Sequence, residues 1–293
     1  MTTIRSAVSS MRGWVRPGKL KGPRLLPTLF MVFLAVLVLV PLYWLVVTSF
    51  RPADRIFADA SQLLPTSVTV DNFVRLFRDA PFVRWFSNSF IITAGATLGS
   101  LVVVTMAAYP LARLRFPFRN TIFVTILVTY LLPFHLLLIP LFILMINLGL
   151  IDTHLGVILP LWAHPFGLFF MRQYMLSIPQ ELLDAARVDG ASEYGVFFRL
   201  VVPLVKPALA TLAILFSLEA WNDLLWPLVV MRSPENFPLP LGIGSLLGGA
   251  AFRPQWDLII TASLLATLPV VIIFVILRKS FIGGFGRLGT GGK

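Results

Sequence analysis

Six apolar runs set the limits on this chain. They cover about 25–47, 89–112, 121–146, 155–171, 208–230 and 258–277. A helix needs about 20 apolar residues to cross a hydrocarbon core of about 30 Å. The first run is too long for the core of a signal peptide, and no small-residue cleavage pattern follows it, so it reads as an uncleaved span. The chain is 57% hydrophobic and 13% charged. A soluble domain carries about 25% charged residues. The expected fold class is therefore all-α: a polytopic membrane protein with six transmembrane helices. The organisation follows: a basic tail at 1–24, the first span and an outer loop at 25–85, a core at 86–282, and a tail at 283–293.

Six spans place both ends on one side. Of the 24 lysines and arginines, 17 fall on the segments that share a side with the N-terminus. Such an excess marks the cytoplasmic face, so both termini are expected there, in a multi-pass inner-membrane protein. The net charge of +11 is read as this topogenic charge and not as a nucleic-acid footprint. With no cysteine, disulfides and thiolate metal sites are excluded. His135, His154 and His164 lack ligand spacing, so no metal site is expected. No Ser/His/Asp set converges, and no catalytic residue is assigned. The final Gly292-Lys293 fails as a phosphate loop, because Arg287 stands where a glycine is needed and the chain stops before the Ser or Thr.

In the outer loop Phe73, Phe77, Phe82 and Trp85 suggest short amphipathic helices at the membrane surface. Gly95 and Gly99, four apart, let another helix approach closely. Pro41 is expected to kink the first span, and Pro133 and Pro140 to interrupt the third.

The segment at 177–203 cannot lie in lipid. It carries Glu181, Asp184, Arg187, Asp189, Glu193 and Arg199. Ser177 and Pro179 suit the start of a helix, and Glu181 and Asp184 favour its positive end. Gly190 ends it, Ser192 caps a second helix, and Pro203 disfavours that helix's continuation. The expected element is helix, glycine turn, helix, with Leu182, Leu183, Val188, Phe197 and Phe198 offered to a partner's pocket and charges at the rim.

This stretch resembles the cytoplasmic loop of binding-protein-dependent ABC importer permeases. The family pattern is Glu-Ala-Ala, three residues, Gly, nine residues, then Ile-x-Leu-Pro. Here it reads Asp184-Ala185-Ala186, three residues, Gly190, nine residues, and Leu200-Val201-Val202-Pro203. Asp stands for the family's Glu, and Leu and Val for its Ile and Leu. Asp189-Gly190-Ala191-Ser192, Asp71-Asn72-Phe73, Asn88-Ser89 and Trp221-Asn222 look like the carbohydrate-uptake branch, nearest the shorter maltose-type permease. The tail resembles that branch's glycine-rich end but lacks its closing Val-Lys-Gly.

The resemblance implies the type I importer permease fold and a role without catalysis. Glu181, Asp184, Ala185, Ala186, Asp189, Gly190, Ala191 and Pro203 would form the coupling site for an ATPase. ATP and Mg would be bound by that partner, with no cofactor on this chain. The implied partners are a second permease subunit, a dimer of ATPase subunits, an extracytoplasmic solute-binding protein and membrane lipid, with no nucleic acid. The cargo would be a sugar, or alternatively glycerol phosphate or another polyol derivative.

In the fifth run Glu219, Asn222, Asp223 and Trp226 are spaced to share one helix face. Acids inside a span are costly, so they face a water-filled path or a partner. Two readings stay open: a pathway lining in which Trp221 or Trp226 stacks on a sugar, or a polar contact between helices. Two other classes remain beside the importer. An ion-coupled transporter would use Glu219 and Asp223 as cation sites. A structural scaffold would carry no solute.

Overall fold

The computed structural model describes residues 25–59, 62–248 and 254–288, with side chains of the last helix through 272. The basic tail at 1–24 and the last five residues, 289–293, lie outside the described residues. Every regular element among the described residues is helical. The chain divides into two units, Met1–Val47 and Thr48–Lys293.

Helix α1, Leu25–Ser49, runs unbroken through Pro41. Its residues from 25 to 43 present exposed apolar side chains, the composition of a lipid-facing span. In the second unit the surface helix α2, Asp71–Asp79, precedes α3, Phe82–Arg113. At 32 residues α3 is the long central element, packed against most of the helices that follow.

The third run is not one helix. It forms α4, Arg119–Tyr130, and α5, Phe134–Asn147, bent by 102°. Proline causes the break: Pro133 is extended at ψ 131°, and it bars the residue before it from helical backbone. Pro140, by contrast, sits inside α5 without ending it. The fourth run is likewise α6, His154–Leu161, and α7, Pro165–Leu176, bent by 44°. Two helices are thus long and apolar enough to cross a membrane among the described residues, or up to five if each bent pair is one span.

Helix α8, Gln180–Val188, and the helical segment α9, Glu193–Leu204, form the charged loop at 177–203. The fifth run is α10, Lys206–Asn222, and α11, Leu225–Val230. A short α12, Leu239–Ser245, leads to α13, Trp256–Leu288, which continues past 277, where the sequence ends the sixth run.

The small-residue pair in α3 admits α6 and the bend after it. Trp162 lies on Gly99 and donates its Nε1–H to the Gly95 carbonyl at 3.0 Å. Ser100 donates to the Leu161 carbonyl at 2.7 Å.

At the N-terminal end of α3, side chains tie down loop backbone. Asn88 Nδ2 donates to the carbonyls of Glu235 (2.7 Å) and Phe237 (3.0 Å), and Ser89 accepts from the Leu239 amide at 2.7 Å. Trp85 donates to the Pro234 carbonyl at 3.0 Å. Trp85 and Phe82 are buried here and do not lie on the surface, where the sequence reading put them. Asn72 donates to the carbonyls of Ser49 (2.9 Å) and Arg51 (2.8 Å). Burial opposes ionisation of Asp152. Bonds from the Ser233 side chain and amide, the Arg232 amide and Asn236 outweigh it and hold the carboxyl at about 2. The loop at 231–239 is therefore built into the fold by polar contacts from two sides, the start of α3 and Asp152.

Candidate functional site

The charged loop begins where α7 stops. Ser177 donates its hydroxyl to the Tyr174 carbonyl at 2.8 Å, so it closes α7 and does not cap α8 as its position suggested. The N-cap of α8 is Pro179, with no side-chain bond. Proline, preset in φ, marks this start without a capping hydroxyl.

The end of α8 follows a Schellman pattern. The Ala191 amide bonds the Ala186 carbonyl and the Gly190 amide bonds the Arg187 carbonyl, both at 3.0 Å. Gly190 has φ +84°, the left-handed conformation this motif requires. Ser192 then accepts from the Gly195 amide at 3.2 Å and starts α9, as its position predicts. Pro203 does not end α9. The segment winds as a π-helix over Val196–Val201, and Pro203 falls in the first turn of the α-helical piece after it, where a missing amide proton costs little.

A chain of polar contacts fixes the loop from within. Asp184 Oδ1 accepts from Gln180 Nε2 at 3.0 Å and from Arg187 Nη1 at 2.9 Å. Arg187 Nε donates to Glu193 Oε1 at 2.7 Å, and Tyr109 donates its hydroxyl to Glu193 Oε2 at 2.7 Å. The bond from Arg187, then that from Tyr109, holds the Glu193 carboxyl below its usual range. Glu193 in turn raises Arg187. Arg113 completes the set. It donates to Gln180 Oε1 at 2.9 Å, to the Met175 carbonyl at 3.0 Å and to the Ile178 carbonyl. The position that holds the family's Glu is thus occupied by a carboxylate bonded within its own loop.

The apolar residues divide. Leu183 and Phe197 are buried in this chain's own core, Phe197 with its ring 5.0 Å from that of Tyr109. They anchor the loop and are not available to a partner, contrary to the sequence reading. Leu182, Val188 and Phe198 are exposed, Val188 at 86%. With Ala185, Ala186 and Gly190 several of these border an open groove of about 800 Å³. Tyr194, 80% exposed in the first turn of α9, also lines it and was not singled out from sequence, because one aromatic at a helix start carries no periodic signal. Glu181, Asp189 and Ala191 are exposed on the same loop, as is Pro203.

The polar face of the fifth run is not one helix face. Helix α10 ends at Asn222, Asp223 is extended at ψ 118°, and Trp226 belongs to α11. Asp223 Oδ1 accepts the Trp226 amide at 3.3 Å and so starts α11. A side chain that bonds backbone can break a helix that spacing alone would continue. Trp226 is fully buried and donates to the Gly156 carbonyl at 3.0 Å, which corrects its assignment to a pathway. Trp221 is buried too, donating to the Ala266 carbonyl at 3.2 Å. Glu219 and Asn222 remain exposed. Glu219 Oε2 lies 2.9 Å from His164 Nε2, and His164 Nδ1 accepts the Gly167 amide at 3.3 Å. That acceptor role leaves the His164 proton on Nε2, donated to Glu219.

An exposed apolar groove on a charged loop, in a chain with helices long and apolar enough to cross a membrane, is the kind of surface a protein partner covers. Residues 99–281 match the family of binding-protein-dependent transport system inner membrane components, and the chain belongs to it. It is 40% identical over 260 residues to the arabinooligosaccharides transport system permease protein AraQ of Halalkalibacterium halodurans, covering 88% of this chain and 92% of that one. The same identity holds over 264 residues with AraQ of Bacillus subtilis, covering 89% and 93%. The sn-glycerol-3-phosphate transport system permease protein UgpE of Escherichia coli is 31% identical over 263 residues, covering 88% and 93%. Among solved structures, a bacterial ABC transporter involved in import of the acidic polysaccharide alginate superposes with TM-score 0.74 at 25% identity, covering 90% of this chain and 99% of that one. The chain is a multi-pass membrane permease component of an ABC importer. Membership displaces the ion-coupled transporter and scaffold readings.

Proposed function

We propose that this permease imports a carbohydrate, of the oligosaccharide class, and that α8 with the turn at Gly190 is its coupling element. Six spans carry the pathway, the bent pairs α4–α5 and α6–α7 counting as one each, with both termini in the cytoplasm. The groove lined by Leu182, Tyr194 and Phe198 receives a cleft edge of a separate ATPase, which binds ATP and Mg. A second permease completes the pathway, and an extracytoplasmic binding protein delivers the solute. The single observation that carries this reading is the exposed apolar face of α8–α9, held rigid by buried Leu183 and Phe197 and by a Schellman turn. Large exposed apolar side chains on a polar loop mark a protein interface. The cargo follows the 40% identical relatives, whose names specify arabinooligosaccharides. Glu219, exposed, would also disfavour a phosphorylated cargo.

Purification of the complex from native membrane in mild detergent tests the coupling site. An ATPase and a second permease should co-purify, and Val188→Asp with Tyr194→Asp should release the ATPase alone. Retention of the ATPase by that variant would place the interface elsewhere. Cysteine labelling tests the pathway on a chain that has no native cysteine. Asn222→Cys should react with a water-soluble thiol reagent and be protected by solute. Trp226→Cys, in the core, should stay unreactive. The reverse pattern would remove Asn222 from the pathway.

A further inference from the structure

We propose that Tyr109 and Arg113 clamp the docking loop to α3, so that loop and helix move as one body during transport. The two residues stand four apart on α3, one helical turn, and so share a face. Each takes hold of a different end of the loop. Arg113 binds its beginning through the carbonyls of Met175 and Ile178 and the Gln180 side chain. Tyr109 binds the start of α9 through Glu193. Between these points Gln180, Asp184, Arg187 and Glu193 are linked pairwise at 2.7–3.0 Å, which closes a loop of contacts back onto α3. Packing reinforces it, since Leu183 and Phe197 sit in one buried cluster with Tyr109 and Ala112. The chain itself enters the loop from α7 and leaves it into α10, so neither connection runs through α3. The clamp is a positioning device. It gives a push on the groove a direct route into the one helix that packs against α6, α7 and α10.

The far end of α3 makes this useful. Asn88 and Ser89, which hold the loop at 231–239, lie 20 to 21 residues before Tyr109. At 1.5 Å per residue that is about 30 Å, the thickness of a hydrocarbon core. A displacement at the docking loop is therefore delivered to the opposite side along one continuous helix.

This inference rests on the coupling reading above. The test uses the assembled importer in proteoliposomes and follows solute imported per ATP hydrolysed. Tyr109→Phe keeps the ring against Phe197 but loses the bond to a charged acceptor, and Arg113→Lys keeps charge but loses the fork. Each should lower the ratio by about tenfold, the factor that one such bond represents, with the ATPase still co-purifying. A Tyr109→Cys, Glu193→Cys double variant should be equally uncoupled. Bridging its two thiols with a short bifunctional reagent should restore transport. Normal coupling in Tyr109→Phe and Arg113→Lys would overturn the clamp. So would a bridged protein that does not transport, since a loop that swings against α3 is arrested by a covalent link. Failure of the unmodified chain to hold an ATPase at all would overturn the coupling reading as well, and that outcome is read separately by co-purification.

Discussion

Gly190→Val should abolish ATP-driven uptake at normal expression, and Gly190→Asn should retain most of it. The backbone conformation decides this difference. Gly190 has φ +84°, and a Cβ built there meets nothing within 4 Å. A side chain thus suffers no clash with neighbours, and the whole effect must come from the left-handed backbone. For an L-residue that costs about 1–2 kcal/mol, more for a β-branched one, while Asn tolerates it. The protein need not unfold to relieve the strain. It needs only to lose the Schellman end of α8, which moves Asp189, Gly190 and Ala191 out of their places in the groove. Uptake should fall in the order Gly, Asn, Ala, Val, with the amount of chain in the membrane unchanged. Equal uptake by Asn and Val variants would mean that the turn's conformation does not matter to coupling.

Gly99→Ala should produce the larger loss of stability. A Cβ at 99 would lie 1.8 Å from Trp162 Nε1 and 2.1 Å from Cε2. The indole must leave, and its bond to the Gly95 carbonyl goes with it. Overpacking costs about 1–3 kcal/mol and the lost bond about 1 more. Gly95→Ala is the internal control: its Cβ meets the mobile end of Ile158 at 2.9 Å, which can turn aside. Thermal unfolding in detergent, followed by tryptophan fluorescence, should place the Gly99 variant well below both the control and the parent. A Gly99 variant as stable as Gly95→Ala would mean that α6 does not sit against α3 as described.

The parts of this fold that were legible in the sequence are those governed by local rules. Apolar runs located the apolar helical segments, Gly190 marked the turn, Ser192 the cap, and Gly95 and Gly99 the close approach of a neighbour. The parts that escaped depend on neighbours distant in the chain. Leu183 and Val188 look alike in sequence, yet one is fully buried and the other 86% exposed, because Leu183 belongs to the buried cluster that includes Tyr109 and Met175. Glu219, Asn222, Asp223 and Trp226 keep helical spacing across a helix that Asp223 itself ends. Pro203 sits in a helix it was expected to stop, because a π-helical stretch precedes it. Arg113 looked topogenic and proved to be a ligand for three loop groups. In each case spacing was read correctly and the partner was the missing information.

Asn72, Asn88, Ser89 and Trp221 are among the residues by which the carbohydrate branch is recognised, and each was described above bonding a carbonyl or an amide of the main chain. None of these bonds consults the cargo. Sorting transporters by these residues would therefore group chassis rather than freight: a bond to backbone does not by itself depend on which solute passes. Retargeting the importer would begin by leaving its most recognisable letters alone.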